Sequence, residues 1–207
     1  MNASHLLTLL SRLRARLWLA AVAIATALSA HAGPLGLEMG TPLKKLRAKV
    51  QLTPEGRNEY RARSLPGGHP DFAAYRLLIS PVHGLCKVTA WTRPVRTGPR
   101  GLEIRHRFDQ LREALTSRYG AGRRYDLLRE DSLWGNRQDW MVALQRNERR
   151  LYAVWTDEMT ELDGKVSQVK LRVDPVGTDK ARLQLGFEFR NVNECVQGVK
   201  DKQARRL

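Results

Sequence analysis

The chain predicts an α+β fold, an antiparallel sheet with helices packed on one face. Three observations carry this. Residues 101–119 repeat Ile104, Phe108, Leu111, Leu115 and Tyr119 at helical spacing, which gives one apolar stripe. Residues 166–173 and 183–189 alternate apolar with polar side chains, the pattern of strands buried on one side. The elements are also segregated: a short helix and a hairpin, then a long helix, an irregular aromatic stretch and three strands.

The first element follows a short apolar run, Pro34–Met39. Thr41 reads as a helix N-cap and Pro42 as the first helical residue. Leu43 and Leu46 share a face, with Lys44, Lys45 and Arg47 outward. The helix ends before Pro54, and Thr53–Gly56 reads as a turn. Ser64–Pro70 is a loop by composition. Phe72–Ser80 and Leu85–Trp91 are strand-like runs joined by Pro81–Gly84, a hairpin.

Arg93–Arg100 is a basic loop with two prolines. The long helix carries Arg105, Arg107, Arg112 and Glu113 opposite its apolar stripe, and Gly120 ends it. Ala121–Arg124 reads as a basic loop and Asp126–Arg129 as one helical turn. Gly135 and Asn136 mark a turn. Asp139–Arg149 predicts a helix with Trp140 and Leu144 inward. Arg150–Trp155 is a strand with Leu151, Ala153 and Trp155 on one side. Val166–Val173 turns Val169, Leu171 and Val173 toward the core. After a turn at Asp174–Asp179, Leu183–Phe189 turns Leu183, Leu185, Phe187 and Phe189 inward. These last three strands predict an antiparallel meander.

Residues 1–32 read as a cleaved secretory signal. Arg12, Arg14 and Arg16 form its positive region, and the 13 residues Trp18–Ala30 form its apolar core. Ala30-His31-Ala32 is a small-x-small cleavage site. The apolar core falls short of the roughly 20 residues of a spanning helix. The expected location is therefore periplasmic, with no transmembrane span after cleavage. Residues 33–199 then form a single α+β domain, and 200–207 a basic disordered tail.

The whole chain carries a formal charge of +15, and removal of the three leader arginines leaves +12. Such a balance favours anionic partners. For an exported protein these are an anionic glycan, a lipid head group or an acidic envelope protein, and not nucleic acid. Both cysteines, Cys86 and Cys195, survive cleavage, so an oxidising compartment permits one disulfide across 109 residues.

The two halves, 33–100 and 101–199, share a loose plan of a helix followed by antiparallel strands. Gly36-Leu37-Glu38-Met39-Gly40-Thr41-Pro42-Leu43-Lys44-Lys45-Leu46 resembles the helix entry of BamE-like envelope proteins. Phe108, Leu111, Leu115 and Tyr119-Gly120-Ala121-Gly122 resemble the helix exit of the same broad group. Tandem modules of this kind also occur in β-lactamase inhibitor proteins. The chain lacks the lipid-anchoring cysteine of BamE. Its layout is similar to that of uncharacterised exported proteins of Gram-negative bacteria that end in a cysteine-bearing strand. The resemblance implies an envelope-located binding or structural module, and it carries over no catalytic residue.

The residues with chemical potential point away from catalysis. His69, His83 and His106 show none of the spacings of a zinc site. Asp157, Glu158, Glu161 and Asp163 lack the regular spacing of a calcium loop. No G-x-S-x-G elbow or Ser-x-x-Lys occurs. The reading is a non-enzyme with no cofactor and no metal.

Tryptophan, tyrosine and arginine crowd into Arg123–Arg150, the residue types that dominate interface hot spots. Trp140 and Trp155 are expected in the core. The expected binding face joins the loop residues Arg93, Arg96 and Arg100 to Arg123, Arg124, Tyr125, Trp134 and Arg137. The functional expectation is an exported, non-enzymatic binding or structural module for an anionic envelope component or envelope protein. The alternative expectation is a proteinaceous inhibitor of an exported hydrolase.

Overall fold

A computed structural model describes residues 33–197. The expected leader, 1–32, and the basic tail, 200–207, lie outside the described residues. Within them the chain is an α+β protein. Helix α1 is Leu43–Arg47. The hairpin strands β1, Thr53–Gly56, and β2, Glu59–Ala62, follow it. Next come β3, Phe72–Ser80, and β4, Gly84–Thr92, and then the two-residue β5, Val95–Arg96. Helix α2 is Leu102–Tyr119. Strand β6, Arg123–Leu128, helix α3, Trp140–Gln145, and strand β7, Arg149–Thr156, come after it. Strands β8, Val166–Pro175, and β9, Lys180–Phe189, end the sheet. Residues 192–197 form a last helical segment.

All nine strands belong to one sheet, ordered β1-β2-β3-β4-β9-β8-β7-β6, with β5 pairing on β9. Every pair is antiparallel. The topology is a helix followed by a four-stranded meander, twice, with the meanders joined through their last strands, β4 and β9.

The period of two sorts the side chains into rows across the sheet. One row runs Leu77, Val88, Phe187, Val169 and Trp155. The next runs Tyr75, Ala90, Leu185, Leu171 and Ala153. All ten are buried. Helix α2 lies on this face against β8 and β9, and α3 lies against β7 and β8. Ile104, Phe108, Leu115 and Tyr119 supply the buried stripe of α2. Tyr119 meets Phe187 edge to face at 6.4 Å. The opposite face alternates with these rows and carries Arg76, Lys87, Trp91, Arg172, Gln184 and Glu188.

The structure corrects several sequence expectations. Thr41 does not cap α1: its hydroxyl donates to the Glu38 carbonyl, and Pro42 holds the N-cap position. Thr53–Gly56 is an edge strand, because it pairs with β2, a strand that no apolar period announces. Asp126–Arg129 is no helical turn. Residues 123–128 pair with β7 from Arg123↔Val154 to Leu128↔Arg149, and this ladder overrides local preference. The same pairing places Arg123 and Arg124 on a strand and not in a loop. The basic loop 93–100 contains β5, which pairs Val95 with Ala181. Helix α3 stops at Gln145, since Asn147 adopts φ 58° and turns the chain into β7.

In the hairpin of β3 and β4 the register slips, with Leu78 opposite Lys87 but Ile79 opposite Leu85. Cys86 is the inserted residue of this bulge. It forms the disulfide with Cys195, whose Cα lies 6.5 Å away, and so ties the 192–197 segment to β4.

Candidate anion-binding surface

The open face of the sheet holds a groove of about 840 Å³. Arg57, Arg76, Lys87, Arg172 and Arg182 line it together with Glu59, Asp174 and Glu188, so cations outnumber carboxylates five to three. Trp91 lies among them. The Arg76 and Arg182 guanidiniums sit 5.3 and 5.4 Å from its ring centroid, within the range of a cation–π contact. Val192 and Val196 of the disulfide-tethered segment also line it.

Ion pairs order the face. Lys87 Nζ is 2.6 Å from Glu188, and Arg182 Nε donates to Asp174 at 2.8 Å. Arg76 Nε donates to Glu55 at 2.8 Å, and Arg61 pairs with the same carboxylate. These two partners, Arg76 first, hold the Glu55 carboxyl below its ordinary value, and Glu55 in turn raises Arg76.

Two further hollows continue the groove. One of about 340 Å³ shares Arg172 and Asp174 with it and adds Lys170, Arg150 and Arg149. Tyr152 also lines this hollow. It stacks on Tyr125 at 4.8 Å, with Lys170 Nζ 4.8 Å from its ring centre. The next hollow, about 420 Å³, shares Arg149. It is lined by Arg100, Arg105, Gly135, Arg137, Trp140 and Arg149, with no carboxylate.

Local structure explains the third hollow. Gly101 caps α2 in the left-handed conformation, φ 63°, and lies flat against the Trp140 ring. The Pro99 carbonyl accepts a hydrogen bond from the Met141 N–H at 3.0 Å. Arg100 is thus fixed between two anchors. Arg105 sits one turn into α2, and Arg137 opens the 3-10 turn before Trp140. Arg149 starts β7 and is aligned by Asp126 at 2.7 Å. Trp140 is 3% exposed, and its indole N–H is buried without a partner among the described residues.

The residues expected from sequence divide accordingly. Arg100 and Arg137 come together in this hollow, although 37 residues separate them. Tyr125 sits against Tyr152 beside the second hollow. Arg124 turns to the helix side, over the Phe108 ring and beside Asp109. Arg123 is exposed on the edge strand β6. Trp134 is half-buried under Arg146, whose guanidinium is 4.9 Å from the ring centre. Arg93 is exposed. Arg96 lines a separate depression with Glu103 and Asp179. Trp140 and Trp155 are core residues.

Arg149 lay within the expected Arg123–Arg150 stretch, but sequence reasoning missed Arg105, Arg76, Arg172 and Arg182. Their only signal was a polar position in a helical or alternating pattern, shared by every solvated residue of those elements.

The acidic loop residues Asp157, Glu158, Glu161 and Asp163 and the three histidines form no cluster of metal-ligand type among the described residues. No helix among the described residues is long and apolar enough to cross a membrane. The fold and surface thus define an α+β protein with one sheet face covered by helices and the other lined by cations. No family model, curated protein or solved structure matches this chain.

Proposed function

We propose that this chain is an exported, periplasmic, non-enzymatic binding module for an anionic envelope component, a glycan or lipid head group. One observation carries the reading. The three hollows, the first on the open sheet face and the third beside α2 and α3, share lining residues in sequence, first Arg172 and Asp174, then Arg149, and so form a continuous cationic track. Long-range attraction by the surplus charge brings the partner in. Trp91 and Tyr152, ringed by cations, then supply rigid aromatic contact. Export supplies the partner class, and the disulfide Cys86–Cys195 fits an oxidising compartment.

The test is retention of the full oxidised protein on dextran sulfate, as a generic polyanion, across a salt gradient. Binding that weakens steeply with salt, and further in R172A/R182A, supports the reading. Binding indifferent to salt, or to those substitutions, refutes it.

A further inference from the structure

We infer that the hollow lined by Arg100, Arg105, Arg137, Arg149 and Trp140 is a discrete site for a multiply charged oxyanion, a phosphate monoester or pyrophosphate group. The inference rests on the binding-module reading for its setting and names the ligand chemistry of one segment of the track.

Four guanidiniums line one hollow of about 420 Å³, and Asp126 neutralises only Arg149. Among the described residues, Arg100, Arg105 and Arg137 have no carboxylate within ion-pairing distance. Three uncompensated charges on one concavity repel one another, and the repulsion is strongest where the walls exclude water. The Trp140 wall does so: the Arg105 and Arg149 guanidiniums lie 5.6 and 5.9 Å from its ring centroid, and the indole is buried. Here both neighbours of Arg100 in the chain are locked onto the α3 region, Pro99 by a hydrogen bond and Gly101 by ring contact.

The chemistry of the lining selects the ligand. A planar guanidinium donates two parallel hydrogen bonds to a phosphate or carboxylate. Three surplus charges favour a dianion or a higher charge over a single carboxylate. Glu103, the acid in the first turn of α2, adds no negative charge to this lining: it accepts from Thr97 Oγ1 at 2.7 Å and the Gly98 N–H at 3.1 Å and lines a different depression.

The experiment is a calorimetric titration of the full oxidised protein with pyrophosphate at low salt, for the wild type, R100A/R137A and R172A/R182A. Arg100 and Arg137 are exposed, so their truncation leaves the core intact. The expected result is one pyrophosphate per chain, weakened about tenfold or more in R100A/R137A and unchanged in R172A/R182A. No saturable binding, or equal loss in both variants, overturns the site. Vesicles of phosphatidic acid and of phosphatidylglycerol, matched in charge, separate the sources. Phosphatidic acid binding that R100A/R137A abolishes assigns a phosphorylated head group. Pyrophosphate binding without vesicle binding assigns a soluble phosphate compound. Dextran sulfate retention read on the same variants keeps the two claims apart. A flat pyrophosphate titration with normal retention removes this site alone. Saturable pyrophosphate binding without salt-sensitive retention removes the broader track and leaves the site.

Discussion

Gly101 and Trp140 are in contact so close that a β-carbon on Gly101 would collide with the indole Cε3. The contact joins the start of α2 to the start of α3 and sets the position of Arg100 between them. Gly101 also has φ 63°, which other residues adopt only at a cost. Gly101→Ala is expected to lower stability by about 2 kcal/mol or more, from the clash and the backbone strain together. Urea denaturation monitored by tryptophan fluorescence measures this.

Trp155 is a second anchor, fully buried, and its indole N–H donates to the Gly120 carbonyl at 2.9 Å. It locks the end of α2 to the sheet, and Gly122 packs against its ring. Trp155→Phe removes ring volume and leaves that carbonyl without its donor. A loss of about 2–3 kcal/mol is expected. A denaturation midpoint close to wild type would show that the carbonyl finds another partner.

The disulfide closes a loop of 109 residues between β4 and the C-terminal helical segment. By the chain-entropy model such a closure contributes about 4–5 kcal/mol. The double variant C86S/C195S, or reduction of the wild type, is expected to shift the guanidinium midpoint by a comparable free energy. Reduction of the double variant should then change nothing.

Glu103 links the 97–101 loop to α2. The Thr97 hydroxyl first, then its own backbone N–H and that of Gly98, hold its carboxyl below the ordinary value of 4.5. A lowered value in the folded chain means that the contribution to stability is present above 4.5 and is lost as pH falls through the folded value. Melting temperatures of wild type and E103Q are therefore expected to differ at neutral pH and to converge under acid. A gap that persists well below pH about 4 would assign the effect to the neutral hydrogen bonds and not to ionisation.

Much of the architecture was readable because side-chain period reports burial directly. Val169, Leu171 and Val173, and Leu183, Leu185, Phe187 and Phe189, lie on the buried face that their alternation indicated, and the stripe of α2 packs as its spacing required. Two cysteines permitted one disulfide, and the structure shows it formed. The edge strands β1 and β6, and β2 beside β1, were not legible. Their pattern is mostly half-buried or exposed, so no apolar period marks them, and they exist because a neighbour offers hydrogen bonds.

The sequence by itself determined the α+β class, the long helix, the central strands and the surplus of positive charge. These follow from local period and from composition. Only the tertiary structure decided which arginines act together. Arg100, Arg105, Arg137 and Arg149 come from a loop, a helix, a turn and a strand, and they meet because Gly101 packs on Trp140 and β6 pairs with β7. Convergence of that kind depends on contacts between distant segments, and no period along the chain encodes it.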